Sequence, residues 1–215
     1  MYVMKRIIYT CLLLVGVLFR IEARTPMRDW LISMPDSVLP LLTKNNRLDF
    51  IDFYDAKMEA VVTNRMDGKS RLDTLTDDFA RINYTRTTDV AMKLLVLNDT
   101  ADVLCIVTTV KASADDSRIA FFDAQWSPLE LSAFLTEPRI EDFRVGVSDD
   151  SAAWAWSKMD VFFRTYRLCA EDTELRCVLT TTDFLSADDK ETVIPYVNKQ
   201  PLIYRWESGK YKRHE

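Results

Sequence analysis

The stretch Val103-Leu104-Cys105-Ile106-Val107-Thr108-Thr109-Val110 decides the fold, because a later stretch echoes it: Leu175-Arg176-Cys177-Val178-Leu179-Thr180-Thr181-Thr182. Both are short runs of β-branched and apolar residues, the composition of a buried strand. Each is entered from an acidic turn and left towards Ala-Asp-Asp, at Ala114-Asp115-Asp116 and at Ala187-Asp188-Asp189. A second echo precedes them in the same order, LTKNNRLDF at residues 42–50 and LTEPRIEDF at residues 135–143. The repetition predicts an α+β protein of two related units, each of short helices followed by an antiparallel β-meander. The first unit spans residues 24–125 and the second, shorter one residues 126–215.

Outward from these stretches, the period of the apolar residues assigns the remaining elements. Trp30, Leu31, Met34, Val38, Leu41 and Leu42 recur at helical spacing, and Pro35 and Pro40 break the tract into two short helices or one kinked helix. Asn45-Asn46 reads as a turn, and residues 47–55 as a further helix packing Leu48, Ile51 and Tyr54. Beyond it the period becomes two, with a hairpin around Asp67-Gly68 and alternation through Ala80, Ile82 and Tyr84. Ser127 and Pro128 read as the cap and first residue of a helix. The second meander is expected from residues 161–168 through the echo to 193–197 and 202–206.

Residues 1–23 have the order of a secretory signal peptide: Lys5-Arg6, an apolar core over residues 7–19, and a small residue, Ala23, at the cleavage point. Nothing after it is apolar for long enough to form a transmembrane span. The chain carries a formal net charge of −5, and more cations than carboxylates leave with the leader. An acidic chain disfavours nucleic acid, whose phosphates need clustered cations. Four isolated glycines form neither a dinucleotide fingerprint nor a phosphate loop. The single histidine, His214, lies in a charged C-terminal tail read as mobile, which argues against a nucleophile–histidine pair. Cys/His zinc spacing and a spaced Asp calcium loop are both missing. The expectation is no cofactor and no metal, and the balance leans against an enzyme.

Two groups of residues still invite a functional reading. Asp149 and Asp150 stand beside Trp154 and Trp156, and paired carboxylates with aromatic platforms suit glycan binding or hydrolysis. Adjacent aspartates are more often solvated turn formers, and alternate tryptophans on one sheet face are more often core anchors. Cys169 and Cys177 could form a disulfide across a hairpin turning at residues 171–174, whereas the equivalent places of Cys105 and Cys177 suggest buried thiols.

The segments Met34-Pro35-Asp36-Ser37-Val38-Leu39-Pro40-Leu41-Leu42 and Asn46-Arg47-Leu48-Asp49-Phe50-Ile51-Asp52-Phe53-Tyr54, with Leu94-Leu95 and the Thr108-Thr109 strand, resemble an uncharacterised family of exported Bacteroidales proteins. That family is a domain of unknown function. The resemblance implies a Gram-negative periplasm or cell surface and carries over no catalytic residue. Helices followed by an antiparallel sheet, used twice, are also similar to the tandem architecture of the β-lactamase inhibitor protein, a likeness of fold only. The expected function is an exported non-catalytic protein that binds a protein partner or an envelope component. The alternative is a carbohydrate-binding or glycan-hydrolysing protein using the acidic turns with Trp154 and Trp156.

Overall fold

The computed structural model describes residues 24–146 and 149–214, so the predicted signal peptide lies outside the described residues. Helix α1 (Met27–Ser33) turns Met27, Trp30 and Leu31 inward. It stops because Met34, which precedes Pro35, takes the extended conformation that a following proline demands. Helix α2 (Lys44–Asp55) starts at Thr43, whose hydroxyl accepts from the Asn46 amide at 3.1 Å while the Asn46 side chain accepts from the Thr43 amide at 3.0 Å. This reciprocal cap makes Asn45-Asn46 the first helical turn, where the sequence suggested a connecting turn. The buried face of α2 is Arg47, Phe50 and Ile51, one step round from the expected Leu48, Ile51 and Tyr54.

Sheet A contains seven antiparallel strands in chain order: β1 (Val61–Thr63), β2 (Lys69–Leu75), β3 (Phe79–Thr85), β4 (Thr88–Val96), β5 (Asp102–Val110), β6 (Asp116–Phe122) and β7 (Pro128–Leu129). Strand β5 is internal, with Cys105 opposite Lys93 on β4 and Phe121 on β6. Strand β7 replaces the helix start expected at Ser127-Pro128. Asp123 closes a turn by accepting from the amides of Gln125 at 2.9 Å and Ser127 at 2.8 Å, which returns Pro128 beside Phe122. Helix α3 (Leu131–Phe134) begins only after Glu130.

The second part of the chain adds helix α4 (Asp150–Trp156) and strands β8 (Arg164–Leu168) and β9 (Leu175–Leu179). Helices α5 (Thr181–Phe184) and α6 (Ala187–Val193) follow, and then strands β10 (Leu202–Glu207) and β11 (Lys210–His214). Sheet B has four antiparallel strands in the order β11-β10-β9-β8, again a meander. The protein is therefore α+β, with a few short helices on two unequal antiparallel sheets. The echo holds at the cysteines, since β9, like β5, lies between two neighbours. It fails beyond them: the chain turns at Thr180, and Ala187-Asp188-Asp189 begins α6 under a Ser186 cap. Residues 193–197, expected as a strand, end α6 and form a 3-10 turn over Ile194–Tyr196. The tail expected to be mobile is β11, in which His214 pairs with Ile203.

Sheet A is covered differently on its two faces. Helices α1 and α2 seal one face through a core that includes Trp30, Phe50, Ile82 and Met92. On the other face, β8 packs across β4, β5 and β6, burying Cys105, Val107, Ile119 and Phe121 with Tyr166, Leu168 and Cys177. Rings meet at this junction, with Phe121 and Phe134 stacked at 4.9 Å between centroids and Trp206 and Tyr211 edge to face at 5.1 Å. Polar bonds fix the register of the halves. Lys93, 1% exposed, donates to the Ala170 carbonyl at 2.9 Å and pairs with Asp78 at 2.9 Å. Arg81 donates to the Leu168 carbonyl at 3.1 Å, Thr180 to the Asp115 carbonyl at 2.6 Å, and Trp206 to the Val96 carbonyl at 2.7 Å.

Candidate functional site

The residues singled out by sequence do not form one cleft. Asp149, expected in a turn, is the cap of α4: its carboxylate accepts from the Ala152 amide at 2.8 Å. Trp154 and Trp156 lie on that helix and not on a strand, so their two-residue spacing points them about 200° apart. Trp156 is 9% exposed, with the Arg144 guanidinium 4.6 Å from its ring centre. Trp154 is 58% exposed, with the Lys158 ammonium 4.9 Å from its ring centre. It lines an open hollow of about 540 Å³ with Asp150, Ser151, Glu191 and Tyr196, whereas Trp156 lines another, of about 380 Å³. Of the four residues proposed from the sequence, the structure brings only Asp150 and Trp154 together.

The cysteine pair is also separated. The β8–β9 register sets Cys177 opposite Tyr166 and Leu175 opposite Leu168, leaving Cys169 beyond the end of the ladder. Cys105, Cys169 and Cys177 are all free thiols, and the Cys169 sulfur accepts from Arg176 at 3.0 Å. Burial pushes the Cys177 thiol up to about 12, with Arg164 opposing, and burial drives the Cys105 thiol upward as well. A thiol held protonated is a poor nucleophile, so the two cysteine strands supply packing. Among the described residues, no group of three His, Cys, Asp or Glu is placed to hold a metal ion.

A larger concave surface lies elsewhere, on the part of sheet A that β8 does not reach. Strand β2 alternates strictly at its start: Ser70 and Leu72 face the helices, while Lys69, Arg71 and Asp73 face solvent. With the turns at either end of β1–β3 this face forms a groove of about 810 Å³. Its lining holds four cationic side chains, Lys69, Arg71, Arg86 and Lys111, and one carboxylate, Glu59. Arg71 bonds Asp73 at 2.6 Å and Asn83 at 3.1 Å, and the Asp73 bond raises its pKa. Lys111 pairs with Asp89 at 2.6 Å, and Lys69 donates to the Thr63 hydroxyl at 2.7 Å. Arg86 is exposed and makes no hydrogen bond or ion pair among the described residues. Leu41, Val61 and Met66 supply the apolar part, with Met66 75% exposed.

The sequence reading missed this groove because its cations are far apart in the chain and each looks like an ordinary solvated side chain. A signal was present nonetheless. Strands β4 and β5 carry near-continuous apolar runs, as two-sided burial requires, whereas Lys69 to Asp73 alternate as a strand with one wet face must.

These features define a class: an α+β protein in which helices and a second sheet cover unequal shares of one large antiparallel meander. The chain belongs to the family described as "Protein of unknown function (DUF3256)", whose model matches residues 19–211. A solved structure of a domain of an uncharacterized protein from Porphyromonas gingivalis W83 is similar. The match covers 87% of this chain and 97% of that one, with 28% identity and a TM-score of 0.78. No curated protein matches the chain. No described helix is long and apolar enough to cross a membrane.

Proposed function

We propose that the protein is an exported, non-catalytic binding protein of a Gram-negative envelope, and that a protein partner docks on the uncovered part of sheet A. The observation that carries this reading is the groove over β1–β3, a sheet face left open beside one that β8 closes. Ordered strands with solvent-facing side chains offer a preformed surface, which lowers the ordering cost of association. Export is supported by the signal-like order of residues 1–23, and the Bacteroidales envelope setting by the resemblance of the sequence. The similar Porphyromonas gingivalis domain is in keeping with that setting. The test is photo-cross-linking in the native host from a benzoylphenylalanine at Met66, with Ser151 as the control position. A defined envelope protein captured from Met66 alone is expected; no product from Met66 sinks the reading.

A second reading, a carbohydrate-binding surface, has a specific observation of its own: Trp154 is exposed in a hollow with Asp150 and Tyr196. An exposed indole beside polar acceptors is a platform for a sugar ring. Glycans titrated against tryptophan fluorescence, compared between wild type and Trp154→Phe, should give a change that the variant loses. Spectra that no glycan alters would count against the surface.

A further inference from the structure

We infer that the groove over β1–β3 takes an extended, acidic polypeptide segment of the partner; this rests on the groove being the docking surface. Charge complementarity is the first argument. The chain carries a formal charge of −5, yet the groove is lined by four cations against the single carboxylate of Glu59. Two of these cations are available without breaking an ion pair: Lys69 bonds only the Thr63 hydroxyl, and Arg86 has no partner among the described residues. The other two are paired: Arg71 with Asp73 at 2.6 Å and Glu59 at 3.6 Å, and Lys111 with Asp89 at 2.6 Å. An incoming carboxylate therefore meets Lys69 and Arg86 first and reaches Arg71 in exchange for its more exposed partner, Glu59, a pair worth little in solvent.

Spacing is the second argument. Lys69 and Arg71 are two residues apart on one strand, and side chains at that interval are about 6.6 Å apart on one face. An extended segment with carboxylates at every second residue presents the same interval. The lining is the third. Leu41, Val61 and the flexible Met66 put apolar surface beside the cations for the methylene stems of the inward-facing acidic side chains, since Met adapts its shape to a partner. No aromatic side chain lines the groove among the described residues. Sugar rings and nucleic-acid bases are both held largely by stacking on aromatic faces, so the lining favours a peptide over either.

The test is fluorescence anisotropy with fluorescein-labelled Glu-Val-Glu-Val-Glu-Val-Glu and its counterpart in which each Glu is Gln. The Glu peptide should bind the mature protein and the Gln peptide should not. The double variant Lys69→Glu/Arg86→Glu should weaken binding by about tenfold or more, and salt near 1 M, where the Debye length is about 3 Å, should abolish it. Both substituted positions are exposed, and an unchanged circular dichroism spectrum shows that the variant is folded. Absence of Glu-peptide binding, equal binding of both peptides, or displacement of the Glu peptide by polygalacturonate at equal carboxylate concentration overturns the inference. If Met66 still cross-links a partner in that case, the docking surface stands and only its chemistry is wrong. If neither experiment gives a signal, both readings fall.

Discussion

Removing the guanidinium of Arg47 would leave backbone carbonyls stranded inside the N-terminal layer. The side chain is 1% exposed and donates to the carbonyls of Leu31 at 2.9 Å, Leu42 at 2.6 Å and Met34, and to the Asp36 carboxylate at 3.0 Å. These acceptors lie at the end of α1 and along the crossing to α2, where helical partners run out. Arg47→Ala should therefore cost about 3–5 kcal/mol, the range for breaking a buried charged network, measured by urea unfolding. Asp36→Ala should cost no more than about 1 kcal/mol, because that carboxylate is 39% exposed. A loss below about 1 kcal/mol for Arg47→Ala would show that water replaces the guanidinium. Sequence alone put Leu48, Ile51 and Tyr54 on the buried face, where the structure has Arg47, Phe50 and Ile51. Helical period locates a stripe but not its edge, and an inward arginine is recognisable only from the carbonyls it serves.

At the scale of elements, what was legible was local. The β1–β2 hairpin follows from the Asp67-Gly68 turn and flanking alternation, with Thr63 and Lys69 paired across it. Strand β3 follows from period two and β5 from its near-continuous apolar run, and α1 ends where Pro35 requires. The misread elements are short ones whose local pattern fits two structures. Trp154-Ala155-Trp156 alternates large and small as a strand would, but the Asp149 cap and the alanines wind it into α4. Strand β11 has one buried residue, Tyr211, among four charged or polar neighbours, so its composition resembled a solvated tail. Strand β7 is two residues long and is held by a turn that Asp123 organises. Of the predicted site, Asp150 and Trp154 share a hollow. Asp149 and Trp156 were drawn in by adjacency in the chain, which a helix converts into separation around its axis.

At the scale of the whole molecule, the same large sheet is finished in one region and open in another. Over β4–β6 the β8–β9 hairpin supplies the second layer, and Lys93 and Arg81 tie that hairpin down through the carbonyls of Ala170 and Leu168. Arg81 marks the limit of the covered region, and beyond it the cations of β2 face solvent. Sequence could give the strands but not this boundary, because it is set by contacts between residues 87 apart, as for Arg81 and Leu168. The proposal that the open part is where the protein works makes a spatial claim about a complex. Hydrogen–deuterium exchange of this protein in complex with the partner captured through Met66, compared with the free protein, tests it most directly. Exchange should slow only at β1, β2, the turns at residues 64–68 and 85–87, and the chain at Lys111. Protection centred on α4 and α6 around Trp154, with β1 and β2 unchanged, would contradict it.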